Sequence, residues 1–232
     1  MPPSLTAGPS SWVKDAWDPV ALYRKSLAEA DDASVTIASI GFLENLSALL
    51  NSTQDAFSDL DGRALVSRKV AELVVMGGDY PSGYEYNFWG SNASLAAHVV
   101  NGWPGPIVFA GSDLGRHVSS GGPLMDEGPA DDPVRAAYVY YTYYKPRASW
   151  DPLAVYYAMH GCGRLFAFGN EYGYNHVAAN GSNAWVYDRA RTDQHWLALR
   201  VDNATASAEV DRLLLEGARH PRGNRFHEHV EL

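Results

Sequence analysis

The stretch Val74-Val-Met-Gly-Gly-Asp-Tyr-Pro-Ser-Gly-Tyr-Glu-Tyr-Asn87 decides how the rest of the chain is interpreted. It begins as the end of an apolar strand, breaks at two glycines, and leads into a turn that presents Glu85 and Asn87. On an extended segment, side chains two positions apart point the same way, so we predict that these two lie together. A carboxylate accepts hydrogen bonds and an amide both donates and accepts, so the pair suits a vicinal diol. The alternative interpretation is a surface loop with a polar edge.

Apolar segments on both sides of this stretch alternate with segments of helical spacing. The predicted strands cover residues 35–40, 71–76, 106–110 and 195–201, and the predicted helices cover residues 18–30, 43–50, 62–69, 91–100, 133–144, 151–159 and 207–215. Buried strands that alternate with helices predict an α/β fold with a largely parallel sheet flanked by helices. Residues 115–132 are interpreted as a loop, and residues 163–192 as loops with short strands.

The domain organisation follows from these elements. We predict one domain over residues 18–216, a disordered segment over residues 1–17 and a frayed tail over residues 217–232. Ligands of parallel sheets bind at the carboxyl ends of the strands. The polar loops that begin at Gly41, Gly77 and Gly111 are therefore expected to cluster at one edge of the sheet.

Composition excludes several classes of protein. With 46% hydrophobic and 19% charged residues, the 232-residue chain is an ordinary globular sequence. Its net charge of −9 argues against binding to nucleic acid or to an anionic membrane. Cys162 is the single cysteine, so no intrachain disulfide is possible, and no apolar run is long enough to span a membrane.

Two observations on localisation point in opposite directions. The first residues have neither a basic region nor an apolar run, which predicts no signal peptide and hence a cytoplasmic protein. Asn-x-Ser/Thr sequons, of which chance predicts roughly one, instead suggest secretion. The sequons begin at Asn45, Asn51, Asn92, Asn180 and Asn203.

Five segments, in order, resemble motifs of the inosine/uridine-preferring nucleoside hydrolase family, especially its extracellular fungal members. Val35-Thr-Ile-Ala-Ser-Ile-Gly-Phe-Leu-Glu-Asn-Leu46 resembles V-T-I-x-A-x-G-P-L-T-N-L, and Val74-Val-Met-Gly-Gly78 resembles V-V-M-G-G. Tyr84-Glu-Tyr-Asn87 resembles A-E-F-N, Ser112-Asp-Leu114 resembles the G-L-D-x-T loop, and Trp150-Asp-Pro-Leu-Ala154 resembles H-D-P-x-A. The order and spacing match from about residue 18 to about residue 215.

The resemblance implies a function and a set of site residues. Enzymes of this family hydrolyse the N-glycosidic bond of ribonucleosides with a calcium-bound water, and a bound cation lowers the pKa of its water. The resemblance implies that Glu85 and Asn87 hold the ribose hydroxyls. It also implies that Asp151 and the main-chain carbonyl of Ile40 are calcium ligands, which are the oxygen donors that calcium prefers. For Asp151, the alternative is a helix N-cap before Pro152.

One departure from the family concerns its N-terminal D-x-D-x-G-x-D-D segment, which supplies most calcium ligands and the general base. The sequence contains no such segment. We therefore expect the fold to lack its N-terminal strand, the general base to be absent, and calcium binding to be weak or absent. Residues 126–132 carry aspartates without the required spacing and are interpreted as a loop and helix N-cap.

A second departure is Trp150, which stands where many family members have the histidine that protonates the leaving base. An indole cannot deliver that proton, but it can stack on a base. His176 is an alternative candidate for the acid, and Asp113 is either at the edge of the site or in a strand-end turn.

Two functions therefore stay open. One is a nucleoside N-ribohydrolase with weak or no activity alone, which binds small-molecule nucleosides and, by resemblance, forms a homo-oligomer. The other is a catalytically inactive sugar- or nucleoside-binding or interaction protein.

Overall fold

The structure, a computed structural model, describes residues 16–220, so the predictions for residues 1–15 and 221–232 lie outside it. Its helices are α1 (Pro19–Glu29), α2 (Glu44–Leu50), α3 (Gly62–Lys69), α4 (Tyr86–Trp89), α5 (Ala93–Gly102), α6 (Ser112–Arg116), α7 (Gly122–Glu127), α8 (Pro133–Thr142), α9 (Trp150–His160) and α10 (Asn203–Arg219). Its strands are β1 (Val35–Ser39), β2 (Val70–Met76), β3 (Ser82–Tyr84), β4 (Ile107–Ala110), β5 (Ser119–Ser120), β6 (Arg147–Ala148), β7 (Phe166–Phe168), β8 (Tyr174–Val177), β9 (Ser182–Val186) and β10 (Gln194–Leu199).

The main sheet has the strand order β1-β2-β4-β10-β7. In this sheet, the pairs β1–β2, β2–β4 and β4–β10 are parallel, and β7 pairs antiparallel with β10. Helices cover both faces, so the predicted α/β fold with a largely parallel sheet is confirmed. A second sheet, β3-β9-β8, and a two-stranded sheet, β5-β6, lie beside it.

The central strands are buried on both faces because successive side chains of a strand point to opposite sides. In β2, Leu73 and Val75 pack into one apolar cluster with residues of α2, α3 and α5. Val74 and Met76 pack into the other cluster with residues of α9 and α10. The consecutive apolar residues 73–76 of β2 are the pattern expected where helices cover both faces of a sheet.

Strand β1 departs from the predicted buried strand. Ile37 is its only buried residue, whereas Thr36 and Ala38 are exposed. The physical reason is its position at the edge of the main sheet, where only β2 pairs with it. A β-branched run alone does not distinguish a central strand from an edge strand.

The segment after β4 is more ordered than the predicted loop over residues 115–132. It contains the end of α6, then β5 and α7. Gly121 joins β5 to α7 with φ of 98°, a backbone conformation that glycine adopts without steric cost. A Cβ at Gly121 would also lie 2.2 Å from the ring of Tyr138, so a glycine-rich sequence here specifies a tight turn into a helix.

The last helix also extends beyond its predicted end. α10 continues to Arg219, so the prediction of a frayed tail from residue 217 is wrong for the first three residues of that tail. Asp202 caps the helix by accepting a hydrogen bond from the Thr205 amide at 2.7 Å. Within residues 16–220, every helix is too short or too polar to cross a bilayer.

Candidate functional site

The carboxyl ends of β1, β2 and β4 converge on one open cavity of about 450 Å³. Parallel neighbours in one sheet end at the same edge, so the segments that follow them meet there. The lining residues are Ile40, Met76, Asp79, Tyr84, Glu85, Tyr86, Asn87, Trp89, Ser112, Arg116, Arg147, Trp150 and Asp151. The cavity thus contains five residues that the sequence assigned to the site: Ile40, Glu85, Asn87, Trp150 and Asp151.

Glu85 reaches this cavity through a helix cap and not through an extended segment. It is the N-cap of α4, and its Oε2 accepts hydrogen bonds from the Asn87 amide at 3.0 Å and the Gly78 amide at 3.2 Å. The predicted spacing argument is therefore wrong, because residues 86 and 87 are already helical. The cap nevertheless brings the two side chains together and leaves Oε1 available to a ligand.

Asn87 is oriented by its amide nitrogen. Nδ2 donates to the carbonyl oxygen of Met76 at 3.0 Å and lies equally close to the Met76 sulfur. Since its donors are directed at β2, the side-chain oxygen is the part of Asn87 left for a ligand. Glu85 and Asn87 therefore present acceptors, which suits two hydroxyl groups that both donate.

The pKa of Glu85 is raised from its ordinary value, mainly because the carboxyl is buried, with an exposed fraction of 8%. The negative charge of Asp79 adds to the rise, whereas the amides of Asn87 and Gly78 oppose it by stabilising the carboxylate. A carboxylate held in this way is a strong acceptor because its competing water has been removed.

Asp79 is a cavity residue that the sequence analysis missed. Its backbone is fixed by Asn183, whose Oδ1 accepts from the Asp79 amide at 3.0 Å and whose Nδ2 donates to the Asp79 carbonyl at 2.8 Å. Its Oδ1 is buried and accepts no hydrogen bond from residues 16–220. An unpaired buried carboxylate oxygen is costly, and this atom is closed to solvent, so only the rest of the Asp79 side chain can face a ligand in the cavity.

Trp150 lies at the start of α9 with its indole nitrogen already engaged. Nε1 donates to the Ser112 carbonyl at 2.7 Å. α6 packs closely here, since a Cβ on Gly115 would lie 2.6 Å from the Trp150 Cα. The ring therefore has a fixed orientation beside the cavity, and it offers a surface for contact instead of a proton.

Asp151 is the second residue of α9, and Ser149 occupies the N-cap position. The alternative prediction that Asp151 is an N-cap is therefore wrong. Displacement of water by surrounding protein raises the pKa of the Asp151 carboxyl, and the charge of Arg147 opposes that rise. Within residues 16–220, the Asp151 carboxylate accepts no hydrogen bond.

The oxygen donors of the cavity do not fit a resident calcium ion. Calcium takes six to eight oxygen ligands, several of them from carboxylates. Residues 16–220 contain no group of three or more His, Cys, Asp or Glu side chains placed to share a metal. Asp151 and Ile40, which the sequence assigned as calcium ligands, both line the cavity, but two such ligands do not make a calcium cage.

Two sequence candidates lie away from the cavity lining. His176 is an exposed residue of β8 that pairs with Ala184 of β9, so it is not placed to protonate a leaving base. Asp113 lies on the outer side of α6, with its side chain 80% exposed, and forms an ion pair with Arg116 at 3.0 Å.

The remaining lining residues had little sequence signal. Tyr84, Tyr86 and Trp89 form a partly exposed aromatic rim, in which the rings of Tyr84 and Trp89 stack with centroids 5.4 Å apart. The aromatic residues around the predicted Glu85–Asn87 pair could have indicated this rim. Arg116 could not be assigned because it lies in the segment interpreted as loop, and Arg147 could not be assigned because it lies between two predicted helices, in a segment with no predicted element.

Comparison with known proteins supports the fold. No family model matches the sequence, and no curated protein matches it. Among solved structures, the chain is similar to an inosine-guanosine nucleoside hydrolase, with a TM-score of 0.57, 17% identity, and coverage of 85% of this chain and 67% of that chain. It is also similar to the inosine-uridine preferring nucleoside hydrolase from Bacillus anthracis, with a TM-score of 0.53, 14% identity, and coverage of 87% and 66%.

A third similar structure is the effector protein XOO4466, with a TM-score of 0.53, 15% identity, and coverage of 87% of this chain and 65% of that protein. The chain therefore spans about two thirds of the length of these structures. At such identities the similarity establishes a nucleoside hydrolase-like fold and leaves the activity to be argued from the site.

Proposed function

We propose that the chain binds ribonucleosides in this cavity and acts on their N-glycosidic bond, releasing base and ribose with weak or no turnover by this chain alone. The observation that carries the proposal is the convergence of Glu85, Asn87, Trp150 and Asp151 on one cavity at the carboxyl ends of the parallel strands. A volume of about 450 Å³ lies within the range of small-molecule sites.

The acceptors of the cavity account for recognition of ribose. Oε1 of Glu85 and Oδ1 of Asn87 are the atoms left free by the internal hydrogen bonds of the turn. A ribose 2′,3′-diol offers two donors at adjacent carbons, which matches two adjacent acceptors. The exposed rings of Tyr84, Tyr86 and Trp89 offer apolar faces against which a nucleobase can stack.

Hydrolysis also needs an oriented water and a route for the leaving base. Asp79 is the candidate to orient a water, because its carboxylate belongs to a residue that lines the cavity together with Glu85. Departure of the base leaves an oxocarbenium-like sugar, which the carboxylates of Glu85 and Asp79 stabilise electrostatically. The Trp150 indole cannot protonate the base, and no histidine lines the cavity among the described residues. Slow turnover follows, since a positioned acid or base contributes about 10²- to 10⁴-fold to a rate.

The test is release of ribose and free base from inosine and uridine, followed by chromatography over hours with and without added calcium. We expect slow release by the wild-type chain and its loss in Glu85→Gln. The matched control is Glu171→Gln, which makes the same change at an exposed glutamate outside the cavity. Equal release by both variants, or release that continues without any measurable nucleoside binding, would contradict the proposal.

A second function is favoured by the absence of a proton donor at the position of Trp150. In this alternative the chain binds a nucleoside or ribose without cleaving it. Saturable inosine binding, with intact inosine recovered after prolonged incubation with and without calcium, would support this alternative over the hydrolase.

A further inference from the structure

The cavity contains two guanidinium groups that ribose binding alone does not use. Arg116 lies at the end of α6 and Arg147 lies in β6, and both line the cavity. These elements follow β4 in the chain, whereas Glu85 and Asn87 follow β2. The positive groups and the hydroxyl acceptors therefore enter the cavity from different segments of the fold.

Arg147 has a fixed backbone and an uncommitted side chain. Arg147 pairs with Ser120 of β5. Two residues further along, the Ser149 amide donates a hydrogen bond to the Val118 carbonyl at 2.8 Å. The guanidinium carbon lies 4.8 Å from the ring centroid of Tyr141 and 5.8 Å from that of Trp150. In the described residues, no carboxylate forms an ion pair with Arg147, so its planar set of N–H donors is open to a ligand. Contact with aromatic faces orients this plane without consuming the donors.

Arg116 is held more tightly and adds a second positive group. Its Nε donates to Asp113 at 3.0 Å and its Nη2 donates to the Ser112 hydroxyl at 2.8 Å. The carbonyl oxygen of Ser112 also accepts the hydrogen bond from the Trp150 indole. Ser112 therefore holds both the Arg116 side chain and the Trp150 ring in place. Asp113 offsets part of the Arg116 charge, which makes Arg147 the main anion-binding group.

We infer that the cavity takes ribosides that carry a 5′-phosphate, with Arg147 as the principal phosphate-binding residue and Arg116 as its support. This inference rests on the proposed riboside site. If Glu85 and Asn87 engage the 2′,3′-diol, O5′ is the ribose oxygen that remains free to carry a phosphate. A guanidinium binds phosphate oxygens in a planar, two-point manner, which explains why an arginine without a carboxylate partner suits this position. Asp79, Glu85 and Asp151 also line the cavity, and Asp151 is close enough to Arg147 to feel its charge. A phosphate would therefore bind where Arg147 and Arg116 together outweigh the repulsion by these carboxylates.

The test is calorimetric titration of the whole chain with ribose, ribose 5-phosphate, inosine and inosine 5′-monophosphate, in phosphate-free buffer at one ionic strength. Constant salt is needed because ions screen the attraction. We expect each phosphorylated ligand to bind at least tenfold more tightly than its unphosphorylated partner. Arg147→Ala should bring that ratio close to one, and Arg147→Lys should give an intermediate ratio, since lysine keeps the charge without the planar fork.

The matched control is Arg189→Ala. The guanidinium carbon of Arg189 lies 5.4 Å from the ring centroid of Tyr172, and Arg189 is not part of the cavity lining, so its removal changes the same charge against a similar aromatic contact. The control should keep the wild-type ratio. Thermal unfolding of each variant separates loss of binding from loss of fold.

Several outcomes would overturn the inference. A wild-type ratio near one, with inosine still bound, would refute phosphate recognition and leave the proposed function standing. An equal loss for phosphorylated and unphosphorylated ligands in Arg147→Ala would assign Arg147 a structural role. Inorganic phosphate that binds as tightly as ribose 5-phosphate would show that the sugar contributes nothing. Failure of all four ligands to bind would refute both proposals.

Discussion

Replacement of Glu85 separates its structural role from its proposed role in binding. Oε2 of Glu85 satisfies the amides of Gly78 and Asn87, at 3.2 and 3.0 Å, and caps α4. Glu85→Ala leaves both amides without this acceptor, and an unsatisfied buried donor costs about 1–3 kcal/mol. We expect Glu85→Ala to lower the free energy of unfolding by about 2 kcal/mol, since water partly replaces the lost acceptor.

Glu85→Gln should behave differently, because glutamine keeps an acceptor for the amides but carries no charge. The pKa of Glu85 is raised in the folded state, mainly because burial disfavours the charged carboxylate, so above this raised pKa the wild type keeps a buried charge that weakens folding. Stability of the wild type should therefore fall as pH rises from below the unfolded pKa through the raised folded pKa, and Glu85→Gln should lack this fall. At pH 7 the variant is expected to be at least as stable as the wild type.

Ligand binding should show the opposite order. A hydrogen bond to a charged acceptor contributes about 1.5–3 kcal/mol, against about 0.5–1.5 kcal/mol for a neutral one. Loss of the charge in Glu85→Gln should therefore weaken binding of ribose or inosine by roughly tenfold. Urea denaturation at pH 4 and pH 7, together with calorimetric titration, measures both quantities. A Glu85→Gln variant that is less stable by more than about 1 kcal/mol and binds inosine normally would refute the binding role, because this exceeds the usual effect of a surface substitution.

Two further predictions concern the support of the site and the stability of the fold. Asn183→Ala removes both hydrogen bonds that hold the Asp79 backbone, so we expect a loss of about 2 kcal/mol in urea denaturation and weaker inosine binding, and normal binding would show that the Asp79 segment needs no such support. Glu209 is buried and paired with Arg212 and Arg164 at 2.9 and 2.6 Å, which lowers its pKa to about 2. Its stabilising effect is fully present above its unfolded pKa and disappears as pH falls towards about 2. Glu209→Gln should therefore cost about 1–3 kcal/mol at pH 7 and much less at pH 2.5, whereas an equal cost at both pH values would show that the ion pairs do not matter.

The fold could be predicted from the sequence where packing is dictated by local pattern. The apolar run over residues 73–76 of β2 indicated a buried strand, and Asp18-Pro19 indicated the start of α1, where Asp18 accepts from the Ala21 amide at 2.9 Å. The edge position of β1 could not be predicted, since it depends on which strands pair. The short elements α6 and α7 were missed because their glycines resemble loop composition.

The candidate site could be predicted only where a local sequence motif marks the residue. Glu85 and Asp151 were assigned through motifs that follow strands or begin helices, and both lie in the cavity. Asp79, Arg116 and Arg147 depend on tertiary contacts, in particular the Asn183 hydrogen bonds and the β5-β6 pairing, which no local pattern reveals.

The central claim is that ribose hydroxyls bind between Glu85 and Asn87. The most direct test is a crystal structure of the chain with inosine. The account predicts a sugar in this cavity with its 2′- and 3′-hydroxyls within about 3.2 Å of Glu85 Oε1 and Asn87 Oδ1, the usual limit for hydrogen bonds. A sugar bound elsewhere, or a cavity that contains only solvent at a saturating inosine concentration, would contradict it.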